Sequence, residues 1–218
     1  MTHAAPPTAA LAGIPAGLQA QGLWAGRRQL FVRFAAEAET ATMYTADALM
    51  NEIRRALSRS AFHSISISGR DPLANVPYLC AAFSKLTLDA PIMLDCDGQR
   101  PEALGDIMSI LRLVQVTVDG PAIEAHADRA LQTLQAAAAA KLEHGLVLCA
   151  DDRTSDAQIL RLIEQAHAAS AATAVVIHPS GGTPVDRDRR WIMLVERASA
   201  LHGDVRLALR IPPPTGMR

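Results

Sequence analysis

The chain has 218 residues, of which half are hydrophobic and 20% are charged, and its formal net charge is −1. A chain of this length can bury a sizeable core, so it needs no metal or disulfide for stability. Its near-zero charge argues against a general nucleic-acid or membrane-surface binder, because both need a basic patch. Its three cysteines are too few for a disulfide framework and predict reduced thiols in a cytoplasmic protein.

The N-terminal residues 1–17 are rich in alanine and proline and contain no lysine or arginine. This composition predicts a flexible tail and argues against a signal peptide. Residues 18–218 are predicted to form the α/β domain. No apolar stretch approaches the roughly 20 residues that a transmembrane helix needs.

From Gln29 onward the sequence alternates between strand-like and helix-like segments. Short apolar or alternating runs predict strands at residues 30–34, 63–68, 91–94, 113–118, 144–149, 174–177 and 205–209. Longer amphipathic stretches predict helices at residues 46–59, 76–86, 101–111, 121–142, 155–169 and 188–201. The alternation predicts a parallel sheet with helical crossovers. The sequence has neither a dinucleotide-binding glycine fingerprint nor a Gly-Lys-Ser/Thr phosphate-binding loop.

Polar residues follow most of the predicted strands, at the sheet edge where α/β proteins carry their active sites. These residues are Ser68, Gly69, Arg70, Asp71, Asp95, Asp97, Asp119, Asp151, Asp152 and His178. Any one aspartate taken alone is more often a helix cap or a turn residue than part of a binding site, and the set taken together is what suggests a pocket. His178 fits a general base or a hydrogen-bonded structural residue. Nothing in the spacing predicts a dedicated metal site.

The order of several short segments along the chain is also informative. Residues 18–26 and 30–35 have the sequences Leu-Gln-Ala-Gln-Gly-Leu-Trp-Ala-Gly and Leu-Phe-Val-Arg-Phe-Ala. Residues 66–73 have the sequence Ser-Ile-Ser-Gly-Arg-Asp-Pro-Leu, and residues 91–98 the sequence Pro-Ile-Met-Leu-Asp-Cys-Asp-Gly. In this order, with Val-Ile-His-Pro at 176–179, they resemble the 7-carboxy-7-deazaguanine synthases, which are lyases of the radical S-adenosylmethionine (AdoMet) superfamily.

The resemblance implies a partial, open α/β barrel of parallel strands, similar to a TIM barrel. It also implies AdoMet as a cofactor, which the family holds at the ends of these strands. The positions that it assigns to AdoMet are Ser68, Gly69, Asp71, Asp97 and His178. The positions that it assigns to the substrate are Gln19, Gln21 and Arg33.

The chain departs from this family at the cluster-binding loop. In the family, the Phe-Val-Arg strand leads into Cys-x3-Cys-x2-Cys, whose thiolates hold a [4Fe–4S] cluster. The corresponding positions here are Glu37, Ala41 and Tyr44, and the second glycine of the AdoMet loop is Arg70. No [4Fe–4S] cluster is therefore expected. Without it, no reductant is in contact with the sulfonium of AdoMet.

The sequence thus predicts a cluster-less relative of the family, acting as a binding, regulatory or partner protein without radical chemistry. The alternative is an enzyme acting on a purine- or pterin-like molecule, with retained AdoMet binding or non-radical chemistry. Radical chemistry with an unusual cluster and an unrelated α/β barrel enzyme are further alternatives. The partners implied are a small-molecule ligand and either a second copy of the chain or a homologous enzyme.

Overall fold

The computed structural model describes residues 6–83, 88–180 and 188–208. Ten strands are present within these ranges. They are β1 (Thr8–Gly13), β2 (Ala16–Leu18), β3 (Arg28–Phe34), β4 (Thr42–Thr45), β5 (Ser64–Gly69), β6 (Ile92–Cys96), β7 (Leu113–Asp119), β8 (Glu143–Ala150), β9 (Ala174–Pro179) and β10 (Val205–Leu207). The α-helices are α1 (Ala46–Arg59), α2 (Val76–Phe83), α3 (Pro101–Leu104), α4 (Ile123–Ala139), α5 (Asp156–Ala169) and α6 (Arg189–Ser199).

All of these strands join one open sheet, in the order β10-β9-β8-β7-β6-β5-β3-β1-β4, with β2 also paired to β3. From β3 to β10 the neighbouring strands are parallel and follow one another in chain order. Right-handed crossovers in a constant direction place the helices on one face. Accordingly, α1 packs on α2, and α3, α4, α5 and α6 pack in sequence. The predicted α/β fold with a mostly parallel sheet is confirmed.

The N-terminal segment differs from its prediction. Residues 8–13 form β1, which pairs antiparallel with both β3 and β4, and Leu11 is fully buried. Residues 16–18 pair with β3 as β2. The prediction of a flexible tail is therefore wrong for these two segments, while residues 1–5 lie outside the described residues. The local alanine-rich pattern is weak, and the segment becomes a strand because β3 offers it an edge.

The two faces of the sheet differ in character. On β3, Leu30, Val32 and Phe34 join the apolar core that also contains the buried side of every α-helix. Successive side chains of a strand point to opposite faces, so Gln29 lies on the other side. There its amide donates a 2.7 Å hydrogen bond to Ser64 Oγ on β5. This side also carries buried apolar residues such as Met93 and Val147, and we call it the polar face after the polar side chains that it adds to them.

Several predicted boundaries agree with the structure and others shift. The predicted helix at 46–59 matches α1, whereas the predicted helix at 101–111 is α3 followed by a 3₁₀ segment, Gly105–Ile110. The predicted helix at 121–142 begins later, at Ile123. Residues 84–86 and 209, which end two predicted elements, lie outside the described residues. Within the described ranges, no helix has the length and apolar character needed to cross a membrane.

Candidate functional site

The carboxyl-terminal half of the polar face carries a row of partly exposed side chains. They lie on the face opposite the helices because they alternate with core residues along their strands. We call this set the polar rim: Ser68 on β5, Asp95 on β6, Thr117 on β7, Cys149 on β8 and His178 on β9. The carboxyl ends of parallel strands are the usual place for a ligand site, so the rim is the candidate functional site.

Asp95 is the carboxylic acid of the polar rim. Thr117 Oγ1 donates a 2.8 Å hydrogen bond to Asp95 Oδ1. Desolvation raises the pKa of Asp95, while the hydrogen bond from Thr117 favours the charged form and limits the rise. The residue as a whole is partly exposed, although its carboxyl group lies in a desolvated environment. Asp95 is therefore a carboxylate whose charged form is penalised by burial.

The segment between β2 and β3 covers part of the polar face. The backbone N–H of Leu23 donates a 3.1 Å hydrogen bond to Gln115 Oε1. Gly22, at φ +87°, lies so close that an added Cβ would be 1.8 Å from the same oxygen. Only glycine accommodates both this contact and this left-handed backbone. The close approach places the neighbouring side chains of Gln19 and Gln21 over the rim.

Cys149 lies in register with Asp119 on β7 and His178 on β9. Its Sγ is 3.8 Å from Gln21 Oε1, with the thiol as donor. Burial first, and then the negative charges of Asp119 and Asp95, raise the pKa of Cys149 to about 12, which the bond to Gln21 only partly counteracts. The thiol is therefore protonated at neutral pH, and it is a hydrogen-bond donor here, since nucleophilic chemistry requires the thiolate.

The positions assigned to AdoMet divide into two groups. Ser68 and His178 lie in the rim. Gly69 follows Ser68 and has φ +95°, and a Cβ added at Gly69 would lie 2.3 Å from the backbone oxygen of Phe34. Asp71, by contrast, is held in a loop, where Arg100 Nε lies 2.8 Å from both of its carboxylate oxygens.

Asp97 also has a local structural partner. Its Oδ1 accepts a 3.0 Å hydrogen bond from the backbone N–H of Gln99, which forms a turn after β6. Both carboxylates are therefore engaged locally, Asp71 by Arg100 and Asp97 by the backbone of Gln99. Of the five positions that the resemblance assigns to AdoMet, only Ser68, Gly69 and His178 lie on strands at the sheet edge that carries the rim.

The positions assigned to the substrate are closer to the rim. Gln19 is buried and lies close enough to Asp95 to lower the pKa of its carboxyl group. Gln21 accepts a hydrogen bond from the Cys149 thiol. Arg33 pairs in register with Ser68 but is exposed and forms a 3.1 Å ion pair with Glu39. The structure therefore brings both glutamines to the rim and leaves Arg33 at its margin.

The cysteines do not fit a [4Fe–4S] cluster. Cys80 lies in α2 with its Sγ donating to the backbone oxygen of Asp106, Cys96 lies in the core on the helix side, and Cys149 lies on the polar face. Cluster thiolates need to converge on one point, and these three lie on different surfaces. Among the described residues, no group of three or more His, Cys, Asp or Glu side chains is arranged to hold a metal ion.

The region corresponding to the family's cluster loop has a structure of its own. Ala41 directly precedes β4 and Tyr44 lies within it, and this strand pairs with β1 at the edge of the sheet. Glu39, between the first two cluster positions, is engaged by Arg33. The segment is thus built into the sheet edge.

Three rim-side residues were missed in the sequence: Gln115, Thr117 and Cys149. The signal that could have found the first two is alternation, because Val114, Val116 and Val118 occupy the core face of β7, which leaves the residues between them on the other face. The same alternation applies to Cys149, because Leu148 and Ala150 on either side of it belong to the core.

Comparison of the chain with models of protein families and with curated proteins finds no match. The functional interpretation therefore depends on the chemistry of the rim: a desolvated carboxylate, a hydroxyl, two amides, a protonated thiol and an imidazole around one partly open surface. Such a set offers both donors and acceptors to a small polar molecule.

Proposed function

We propose that this protein is a cluster-less relative of the 7-carboxy-7-deazaguanine synthases that binds a small polar molecule at the polar rim, as a binding or partner protein without radical chemistry. One observation carries the proposal: Asp95 is desolvated, partly accessible, and has no Lys or Arg ion-pair partner among the described residues. A carboxylate in such an environment costs stability unless something pairs with it, and a ligand would supply that partner.

The chemistry of the rim favours a flat heterocycle of the purine or pterin kind. Such rings present adjacent N–H donors, which suit a carboxylate that can accept two hydrogen bonds. They also present ring nitrogens and carbonyl oxygens, which suit the thiol of Cys149 and the amide of Gln21. The two glutamines that the family resemblance assigns to the substrate lie beside Asp95 and Cys149, which supports the same ligand class.

The absence of radical chemistry in this proposal rests on the donor set. Glu37, Ala41 and Tyr44 replace the family's thiolates, and carboxylate and phenol oxygens suit iron–sulfur chemistry poorly. AdoMet, if it binds, stays whole, because its cleavage needs an electron from the cluster. Anaerobic reconstitution with iron and sulfide tests this step: stoichiometric uptake of four irons per chain would contradict it.

The proposal includes an architecture and a setting. We propose that the sheet is part of an open α/β barrel like that of the resembled family, a proposal supported by the uninterrupted strand order and by the single row of helices. A cytoplasmic location is supported by the three free thiols. A second copy of the chain or a homologous enzyme is the proposed protein partner.

Calorimetric titration with guanine and with a pterin tests the ligand. We expect saturable binding of at least one of them, and we expect Asp95→Asn to weaken it roughly tenfold or more, since a charge-assisted hydrogen bond contributes about 1.5–3 kcal/mol. Asp128→Asn, which changes an exposed aspartate on α4, is the matched control and should leave the affinity unchanged. Absence of binding, or binding that Asp95→Asn leaves intact, would contradict the proposal.

A second candidate is retained AdoMet binding with non-radical chemistry. The observation that favours it is the Ser68–Gly69 end of β5, where the glycine has a positive φ and packs against the backbone of Phe34. If Asp71 binds the AdoMet amino group, Arg100 competes with it, and Arg100→Gln should then increase AdoMet affinity. An unchanged or undetectable affinity in Arg100→Gln would argue against this candidate.

A further inference from the structure

Two histidines meet at the end of the sheet opposite the polar rim. His167 lies in the last turn of α5, and His202 lies in the connection between α6 and β10. Their Nδ1 atoms are 3.0 Å apart, and the rings are inclined at 74° with centroids 5.2 Å apart. The pair thus joins two segments that are distant in sequence and that precede different strands.

The hydrogen bonds of His202 determine where its lone pair points. His202 is buried, with 1% of its surface exposed, and its Nε2 contacts the backbone oxygen of Thr173. A carbonyl oxygen can only accept, so Nε2 carries the hydrogen. In the neutral ring, Nδ1 then bears the lone pair, which is directed at His167. An imidazole whose other nitrogen donates to a carbonyl is held in the tautomer and orientation that metal-binding histidines usually have.

The spacing of the two nitrogens also suits a metal ion. Metal–nitrogen bonds of about 2.0–2.1 Å separate two neighbouring imidazole ligands by about 3.0–3.4 Å, and the observed separation is 3.0 Å. Because the lone pair of His202 is directed at the His167 nitrogen itself, an ion needs the His167 ring to rotate away and its proton to move from Nδ1 to Nε2. His167 is exposed, so its ring is free to make this rotation and to direct its own lone pair at the same ion.

We propose that His167 and His202 form a two-histidine site for a divalent late transition-metal ion, such as Ni²⁺, Cu²⁺ or Zn²⁺. The two Nδ1 atoms are the protein ligands, and water completes the coordination. Imidazole nitrogen suits these ions, whereas Mg²⁺ and Ca²⁺ prefer oxygen ligands. A bound ion would tie the end of α5 to the α6–β10 connection, away from the polar rim, so the site is independent of the proposed ligand function.

The test uses full-length protein prepared without a polyhistidine tag, titrated with Ni²⁺. We expect uptake of one ion per chain by calorimetry, and no comparable uptake of Mg²⁺. Because the ion binds the folded state, the folded-to-unfolded ratio should rise about a hundredfold at a free Ni²⁺ concentration of 100 times the dissociation constant. Thermal unfolding with and without Ni²⁺ measures this shift.

His167→Ala is the decisive variant, because its side chain is exposed and its loss leaves the core intact. We expect it to weaken Ni²⁺ binding roughly tenfold or more, which is at least the effect of removing a partner in the outer shell of a metal site. His126→Ala on α4 is the matched control and should retain the wild-type affinity. The proposal is overturned if wild-type protein takes up no Ni²⁺, or if His167→Ala binds it as well as wild type, and the histidine pair is then a hydrogen bond only.

Discussion

Thr117 on β7 donates a 2.8 Å hydrogen bond to Asp95 on the neighbouring parallel strand β6. The two side chains share the polar face because Asp95 is in register with Gln115, two residues before Thr117. This contact orients the Asp95 carboxylate and favours its charged form, against the desolvation that raises its pKa. The balance between these two effects determines how Asp95 influences the stability of the fold.

Replacing Asp95 with Asn should stabilise the ligand-free protein at neutral pH. Desolvation raises the pKa of Asp95 in the folded state, so the charged carboxylate lowers the stability of the fold at any pH above that pKa. An asparagine side chain carries no charge, and its amide oxygen can still accept the hydrogen bond from Thr117. We expect the unfolding midpoint to rise by about 2–4 °C, the shift that about 1 kcal/mol produces in a domain of this length. Thermal unfolding followed by circular dichroism at pH 7 measures it.

The pH dependence provides the control for this substitution. As pH falls through the raised pKa, the folded protein takes up the Asp95 proton before the unfolded chain does, so wild-type stability rises relative to the variant. The difference between the two proteins should therefore shrink as the pH approaches about 4, the value of an unperturbed aspartate. A variant that is less stable than wild type at pH 7 would show that hydrogen bonding outweighs desolvation.

Gly69→Ala should destabilise the fold strongly. The residue has φ +95°, and an added Cβ would lie 2.3 Å from the backbone oxygen of Phe34 and 2.7 Å from its nitrogen. Backbone atoms paired in a sheet cannot move aside cheaply, so we expect a loss of about 2–4 kcal/mol, combining the clash with the left-handed backbone. Denaturation in urea measures the free energy of unfolding.

Gly26→Ala separates the two contributions. Gly26 also has a positive φ, +78°, but no atom lies within 4 Å of an added Cβ. Gly26→Ala should therefore lower the free energy of unfolding only by the backbone contribution of about 1–2 kcal/mol. Equal losses at Gly26 and Gly69 would show that the contact with Phe34 contributes nothing.

Leu11→Ala tests whether the N-terminal strand belongs to the folded domain. Leu11 is fully buried in the core, so its truncation should cost about 2–5 kcal/mol. Leu18→Ala is the matched control, since Leu18 is 60% exposed, and it should change stability by less than about 0.5 kcal/mol. Urea denaturation of both variants measures the two effects, and a flexible tail would make both substitutions equally harmless.

The thiols should differ in reactivity under native conditions. Burial and neighbouring aspartates raise the pKa of both Cys96 and Cys149 to about 12, so neither is a thiolate at neutral pH. Cys80 is partly exposed on α2. We expect iodoacetamide at pH 7 to modify Cys80 first, as measured by peptide mass spectrometry, with Cys149 reacting only as the pH rises. Faster modification of Cys149 than of Cys80 would contradict this account.

Local patterns were sufficient for elements with their own periodicity. Leu49 and Ile53 are spaced to face one side of a helix, and both are buried on α1. The strands β1 and β4 lack such a pattern, because β4 has only four residues, none of them buried, and β1 is mostly alanine and other small residues with Leu11 as its one large apolar side chain. They are strands because each supplies hydrogen-bond partners to an edge formed by residues elsewhere in the chain.

The candidate site was predictable where it lies on strands and unpredictable where it lies in loops. Ser68 and His178 follow from the ends of predicted strands, and both belong to the polar rim. Asp71 and Asp97 follow the same rule in sequence, but their loops turn them toward Arg100 and Gln99. Strand direction is periodic, whereas the direction of a loop side chain depends on which partners happen to surround it.

By itself, the sequence determined the α/β class, the parallel direction of the central strands and the absence of cysteine at residues 37, 41 and 44. These properties follow from periodicity and residue identity, which are local. Only the tertiary structure decided that β1 joins the sheet, that Asp95 meets Thr117, and that His167 meets His202. Each of these depends on strand register or on packing between distant segments, because contacts across a fold are determined by the joint arrangement of many residues.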